Sequence, residues 1–296
     1  MKLSLFSVSY AGFWGQDRVD LDAFLRHAAQ LGYSAVMLMG KRPHLAPLDI
    51  TPERVAQLRE ILKATSLECA AIGGYTDFAG GSAAEVPYVE MQIDYVDSLA
   101  KIACQLGASI VRIFTAYEST KPFATQWDVT VKAIQECCDR AAASNCTIAI
   151  QNHHDIGVDS NVLLELLSDI DRRNCKFGFD AWSPALRGED LFAAAHSLAP
   201  HTICTTNADY VKLPRFQYQP GLVNYLPVFP DAVRAVPFGT GFIDYEAFFT
   251  GLREGGFDGL ATYEMCSPLR GGGSLENLDF FATTYVNWMR EHGFAR

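Results

Sequence analysis

The sequence lacks any run approaching the roughly 18 consecutive apolar residues that a membrane helix needs. Its first ten residues do not make a signal-peptide core either, because Leu3, Leu5 and Phe6 are broken by Ser4, Ser7 and Ser9. That alternation reads as a first β-strand, and the protein is expected to be cytoplasmic with no membrane partner. No two of the eight cysteines have the two-residue gap of a zinc ribbon or redox motif, so most are expected to be buried thiols. Basic excess is missing too: 24 Lys plus Arg stand against 34 Asp plus Glu, a net charge of −10. A field of that sign repels phosphate backbones, and nucleic acid is not an expected partner. After the first strand, Ser9-Tyr10-Ala11-Gly12-Phe13 offers no Gly-rich turn of the kind a dinucleotide-binding fold places there.

What is present is a chain of 296 residues, 49% hydrophobic and 20% charged, which suits two modest domains or one large compact one. One unit recurs eight times: a short β-branched or aromatic run ending in polar residues, then a helix with apolar positions three and four apart. The strands are expected to end near Ser9, Gly40, Tyr75, Thr115, Gln151, Asp180, Thr206 and Glu264. Leu21, Phe24, Leu25, Ala28 and Leu31 line the first helix, and Val55, Leu58 and Ile61 the second, each stripe needing a sheet to cover it. Thr51 before Pro52 marks a helix start, while Gly32, Gly107, Gly255 and Gly293 mark stops. No Ser, Gly or Pro linker separates two halves. The expected fold is therefore α/β, a single (β/α)8 TIM-barrel domain over residues 1–296.

The spacing breaks once, between Val211 and Tyr245, where Pro214, Pro220, Pro227, Pro230 and Pro237 mix with Phe216, Tyr218, Tyr225, Phe229 and Phe238. This stretch is too proline-rich for a helix and too aromatic for disorder. It is expected to be an ordered lid-like loop after strand seven, or else a contact in a homo-oligomer.

In a barrel, the polar residues that matter point inward at the carboxyl ends of strands. Strand five runs Ile148-Ala149-Ile150-Gln151-Asn152-His153-His154, so the alternation that sends Ala149 inward also sends Gln151 and His153 inward. Of the adjacent pair His153 and His154, only one can face the axis if the strand continues. Strand six delivers Asp180 and strand eight Glu264. Converging carboxylates need a cation, a shared proton or an arginine, and oxygen donors suit Mn²⁺ or Mg²⁺. The competing reading pairs them with Arg112 and Arg270.

The ends of strands five to eight resemble the sugar isomerase and epimerase family of the xylose isomerase-like barrels, which includes ketose 3-epimerases and inosose dehydratase. The resemblance covers essentially the whole chain. It implies a divalent metal, Mn²⁺ first with Mg²⁺ or Co²⁺ as alternatives, held by two Glu, an Asp and a His. By likeness the metal set here is Gln151, Asp180, Thr206 and Glu264, while Asn152 and His153 match the rest of the strand-five motif. Two positions depart: Gln151 stands where the family has Glu, and Thr206 where it has His. An amide and a hydroxyl are weak neutral ligands. Either substrate, His153, His154 or Asp209 completes the coordination, or the metal has been lost.

The resemblance implies proton abstraction beside the carbonyl of a keto sugar, with Glu264 as base and His153 as second proton carrier. Epimerisation or isomerisation leads. A β-elimination of the inosose dehydratase or C-glycoside-cleaving type is the alternative, followed by a non-catalytic sugar-binding barrel whose metal site has decayed. Asn152, His154, Trp182, Asp209, Arg215 and Arg270 are expected near substrate, with Trp14 and Tyr75 as further apolar walls. The Gly-rich loop Ser267–Ser274 is a candidate cradle for a phosphate or for sugar hydroxyls.

Overall fold

The structure, a computed structural model, describes residues 1–81, 85–117 and 120–295, apart from the side chain of Asp155. Ten strands are β1 (Lys2–Phe6), β2 (Ala35–Met39), β3 (Glu68–Gly73), β4 (Ile110–Ile113), β5 (Thr147–Gln151), β6 (Cys175–Gly178), β7 (Thr202–Asn207), β8 (Asp209–Gln219), β9 (Asn224–Val236) and β10 (Leu260–Tyr263). The helices are α1 (Leu21–Gln30), α2 (Pro52–Thr65), α3 (Tyr88–Leu106), α4 (Phe123–Ala142), α5 (Ser160–Ile170), α6 (Trp182–Arg187), α7 (Leu191–Leu198), α8 (Tyr245–Glu254) and α9 (Leu275–Glu291).

Strands β1 to β7 and β10 close into one parallel barrel in the order β1-β10-β7-β6-β5-β4-β3-β2. The core splits accordingly. Helix stripes such as Leu21, Phe24, Leu25 and Ala28 pack with outward strand residues such as Leu3, Val36 and Ile148. Inward residues Phe6, Met37, Ala71, Ile110, Ala149, Cys204 and Leu260 fill the interior. The expected helix signals act as such: the Thr51 hydroxyl accepts from the Arg54 N–H at 3.2 Å, and Gly107 ends α3 in the left-handed conformation, φ 82°. None of the cysteines is bridged, and six of the eight are buried.

The stretch after strand seven differs from the expected lid-like loop. It is a long antiparallel ribbon, β8 paired with β9 from Asp209↔Val236 to Gln219↔Asn224, with its register shifting between Leu213 and Arg215, at Pro214. Prolines argue against a central strand, but both strands of a two-stranded ribbon are edges, and an edge tolerates a residue with no N–H to give. The ribbon is largely exposed, Phe216, Tyr225 and Phe229 included.

Candidate active site

Four neighbouring strands, β5, β6, β7 and β10, deliver the upper interior layer. Gln151 pairs in register with Gly178, Thr206 with Thr262, and Glu264 follows β10 with its N–H on the Asn207 carbonyl at 3.0 Å. Together with Asp180, just beyond β6, they surround a cavity of about 420 Å³ at the carboxyl ends of the strands. Its walls include Trp14, Tyr75, Phe114, Trp182 and Tyr210, and Lys41, His153 and His154 also line it.

Asp180 is buried, and Asn152 fixes its backbone: the Asn152 side chain accepts from the Asp180 N–H at 2.7 Å and donates to its carbonyl at 2.9 Å. The carboxylate accepts from Gln151 Nε2 at 2.7 Å and from the Trp182 N–H at 3.0 Å. Burial pushes the Asp180 carboxyl up to about 7; the Gln151 hydrogen bond opposes this and the Glu264 charge adds to it. Burial also raises Glu264, against the pull of Arg112, Thr206 and Lys41. Arg112 Nη2 lies 3.9 Å from Glu264 Oε1.

The chain leaves the strand after Gln151, and His154 takes a left-handed φ of 64°, so both imidazoles reach the cavity instead of one. His153 Nδ1 sits 2.7 Å from His154 Nδ1, and the His154 ring stacks on Phe114 at 4.4 Å. His153 is exposed, with its ring 5.2 Å from that of Phe114. Desolvation first, then Arg112, lowers His153 to about 4; desolvation, His153 and Arg112 lower His154 to about 3. Both rings are therefore neutral at pH 7.

Other expected site residues lie elsewhere. Asp209 is buried as an anchor, accepting from the N–H groups of Tyr210, Gly239 and Gly241 at 2.9, 3.0 and 2.7 Å. Gly241 is required there, since a Cβ would lie 2.0 Å from Asp209 Oδ1. Arg215 is exposed on the ribbon and Arg270 is exposed beyond β10; neither lines the cavity. The Gly-rich loop has its own partners: Asn277 donates to the carbonyls of Arg270 and Gly272, and Asp17 accepts from the Leu275 N–H at 2.9 Å. That carboxylate already occupies the helix N-terminus where a phosphate would bind.

Two cations were not among the residues expected from the strand ends to touch substrate or metal: Lys41, which lines the cavity, and Arg112, which is fully buried beside Glu264 and does not line it. Lys41 is the second residue beyond β2, and Arg112 is a charged residue on the inward phase of β4, considered only as a partner for the carboxylates. Tyr210 and Cys266 are further lining residues.

The expected divalent metal can be tested against this donor set. Gln151, Asp180, Thr206 and Glu264 do converge, but Gln151 turns its amide N–H to Asp180 and Glu264 faces a guanidinium. Among the described residues, no three His, Cys, Asp or Glu side chains are grouped so as to hold an ion. Both carboxylates already face N–H groups, and the donors that remain, the buried Gln151 Oε1 and the Thr206 hydroxyl, are neutral, so the set as arranged does not fit Mn²⁺, Mg²⁺ or Co²⁺.

A profile of the xylose isomerase-like TIM barrel family matches residues 25–284. A search of curated proteins finds no match. Among solved structures, a D-psicose 3-epimerase from Clostridium cellulolyticum H10, crystallised with D-tagatose, is 13% identical over 100% of both chains, TM-score 0.75. The probable 3-DHS dehydratase involved in petrobactin synthesis in Bacillus anthracis is 18% identical over 97% of this chain and 99% of that one, TM-score 0.71. A 3-keto-D-glucoside 4-epimerase from E. coli is 13% identical over 98% and 99%, TM-score 0.73. Identities this low establish a shared fold.

Proposed function

The chain belongs to the xylose isomerase-like TIM barrel family, and from that premise we propose that it removes the proton beside the carbonyl of a small polyhydroxylated substrate, as a keto-sugar isomerase or epimerase. The observation that carries this reading is the buried Glu264 carboxylate lining a cavity of about 420 Å³ with Asp180, His153 and Lys41. That volume falls in the usual range of roughly 300–1,000 Å³ for small-molecule sites. Trp14, Tyr75 and Trp182 offer apolar faces to sugar C–H groups. Burial makes Glu264 more basic than a surface carboxylate, which suits a general base, and the neutral His153 can relay a proton at the mouth. Asn152 holds the Asp180 backbone in place.

Elimination is the second reading, favoured by one feature. The position on β5 opposite Glu264 is an amide committed to Asp180, so no carboxylate mirrors the base. A base on one side only suits loss of a leaving group helped by a separate acid.

Proton-deuteron exchange followed by NMR in D2O, across keto sugars and 3-keto glycosides, tests the proposal. Exchange accompanied by an epimer or isomer is the expected result, and exchange accompanied by an enone selects elimination. Sugars that bind without any exchange would leave a binding barrel and refute the catalytic reading.

A further inference from the structure

Arg112 is the largest fully buried side chain in the protein. Its neighbours make room for it: a Cβ on Gly73 would meet Arg112 Nη2 at 3.0 Å and Phe6 Cζ at 2.4 Å, and one on Gly178 would meet Arg112 Cγ at 3.3 Å. The guanidinium lies 4.4 Å from the Phe114 ring centroid, 5.1 Å from Phe6 and 5.2 Å from Tyr75. Nη1 donates to the Gly74 carbonyl at 2.9 Å, while Nε and Nη2 have no hydrogen-bond partner among the described residues. A buried guanidinium left so is costly without a facing negative charge, and Glu264 at 3.9 Å is that charge.

Lys41 enters the same cavity from the end of β2. The turn is fixed by Gly40, whose N–H reaches the Gly73 carbonyl at 2.9 Å and whose carbonyl accepts from Tyr95 Oη at 2.7 Å. The Lys41 ammonium sits 3.6 Å from the Tyr75 ring centroid and 5.1 Å from Phe13. Two organic cations thus occupy the layer in which the donor set offers a divalent ion no fit.

We propose that this site works without a resident divalent ion, Arg112 holding Glu264 as a carboxylate and Lys41 meeting the negative charge that develops on the substrate carbonyl oxygen. The inference rests on the proton-abstraction reading above and names the groups that complete it. Glu264 takes the proton; the C–H electron pair becomes the C=C bond of the enediolate; the carbonyl π pair moves to oxygen. That oxygen is neutralised by a hydrogen bond or a proton from Lys41, and reprotonation at carbon reverses the flow. Burial and the nearby Arg112 lower the Lys41 ammonium from its ordinary value, which makes it a readier donor. Lys41 is thus a catalytic residue, and Arg112 a positioning residue acting through Glu264.

The test uses the full chain stripped with EDTA. Mn²⁺ titration followed by electron paramagnetic resonance needs no turnover. Wild type is expected to show no stoichiometric binding up to about 1 mM, whereas Q151E/T206H, which restores a carboxylate and an imidazole, gains a site. One Mn²⁺ bound tightly by wild type overturns the inference. Oxalate, a planar dianion shaped like an enediolate, is expected to bind stripped wild type at least about tenfold more tightly than K41M, with K41R between; equal affinity overturns the role of Lys41. Where a sugar undergoes exchange, stripping should leave the rate unchanged and K41M should lower it roughly 100-fold. Loss on stripping with recovery on adding Mn²⁺ overturns the inference. R112K is expected to keep the pH profile of exchange near wild type, and R112M to move its acid limb to higher pH as Glu264 loses its cation; an unmoved profile overturns the positioning role. If no sugar undergoes exchange with or without Mn²⁺, the proposed activity has failed, and the Mn²⁺ and oxalate titrations still decide this inference.

Discussion

Glu264 sits where burial and Arg112 pull its protonation in opposite directions, and substitution separates the two effects. Glu264→Gln should lower solvent exchange by about 10²–10⁴-fold, the span of general-base catalysis, with stability little changed because the amide keeps the shape. NMR exchange rates and urea unfolding check both halves, and an active E264Q protein contradicts the assignment. His154 makes a separate prediction. Its folded value, about 3, lies below the roughly 6.5 of a free imidazole, so the stability linked to its neutral form is present above about 6.5 and is lost as pH falls through that window. Against H154Q, the wild-type advantage should shrink steadily from pH 7 to pH 4 in unfolding titrations; a constant difference rejects it. Asp180, Glu264 and His153 were legible because alternation along strands five, six and eight carries them inward, whereas His154 reaches the cavity only because the chain leaves the strand after Gln151. Arg112 was legible as an inward charge on a strand of Ile and Val, but not as the organiser of the site. Lys41 keeps the inward phase of Met37 and Met39, but a lone lysine just past a strand matched no carboxylate, amide or imidazole pattern and so was passed over.

The elements whose period was regular were readable, and their ends agree with the strand ends read from sequence to within a few residues. The β8–β9 ribbon was not readable, since proline density conceals an edge strand. None of residues 211–236 lines the cavity, although Tyr210 and Tyr245 on either side do. Replacing residues 212–233 by a short turn between Val211 and Arg234 should therefore leave the barrel folded, by circular dichroism, and exchange within roughly threefold of wild type. Exchange that collapses in the shortened protein would return the ribbon to the role of a lid. Asp209 shows why an acidic residue near a strand end need not touch substrate: three backbone N–H groups hold it at the root of the ribbon.

At the scale of the whole molecule, eight repeated units and a missing Gly-rich turn were enough to specify a closed barrel. The electrostatic plan of its mouth was not, because charge balance there depends on which side chains meet across strands distant in sequence. A ligand that binds only the folded state raises the unfolding midpoint. Without a resident ion, EDTA or about 1 mM MnCl2 should move the thermal midpoint by no more than about 1 °C, as scanning calorimetry reads it, and a rise of several degrees with Mn²⁺ contradicts that. The central claim is a geometric one, that Glu264 and Lys41 approach the same substrate from one cavity. A crystal structure with a bound keto sugar tests it most directly. The account predicts the carbon beside the carbonyl about 3–3.5 Å from Glu264 and the carbonyl oxygen within hydrogen-bond reach of Lys41; a sugar held away from both, or bound through an ion between Asp180 and Glu264, would contradict it.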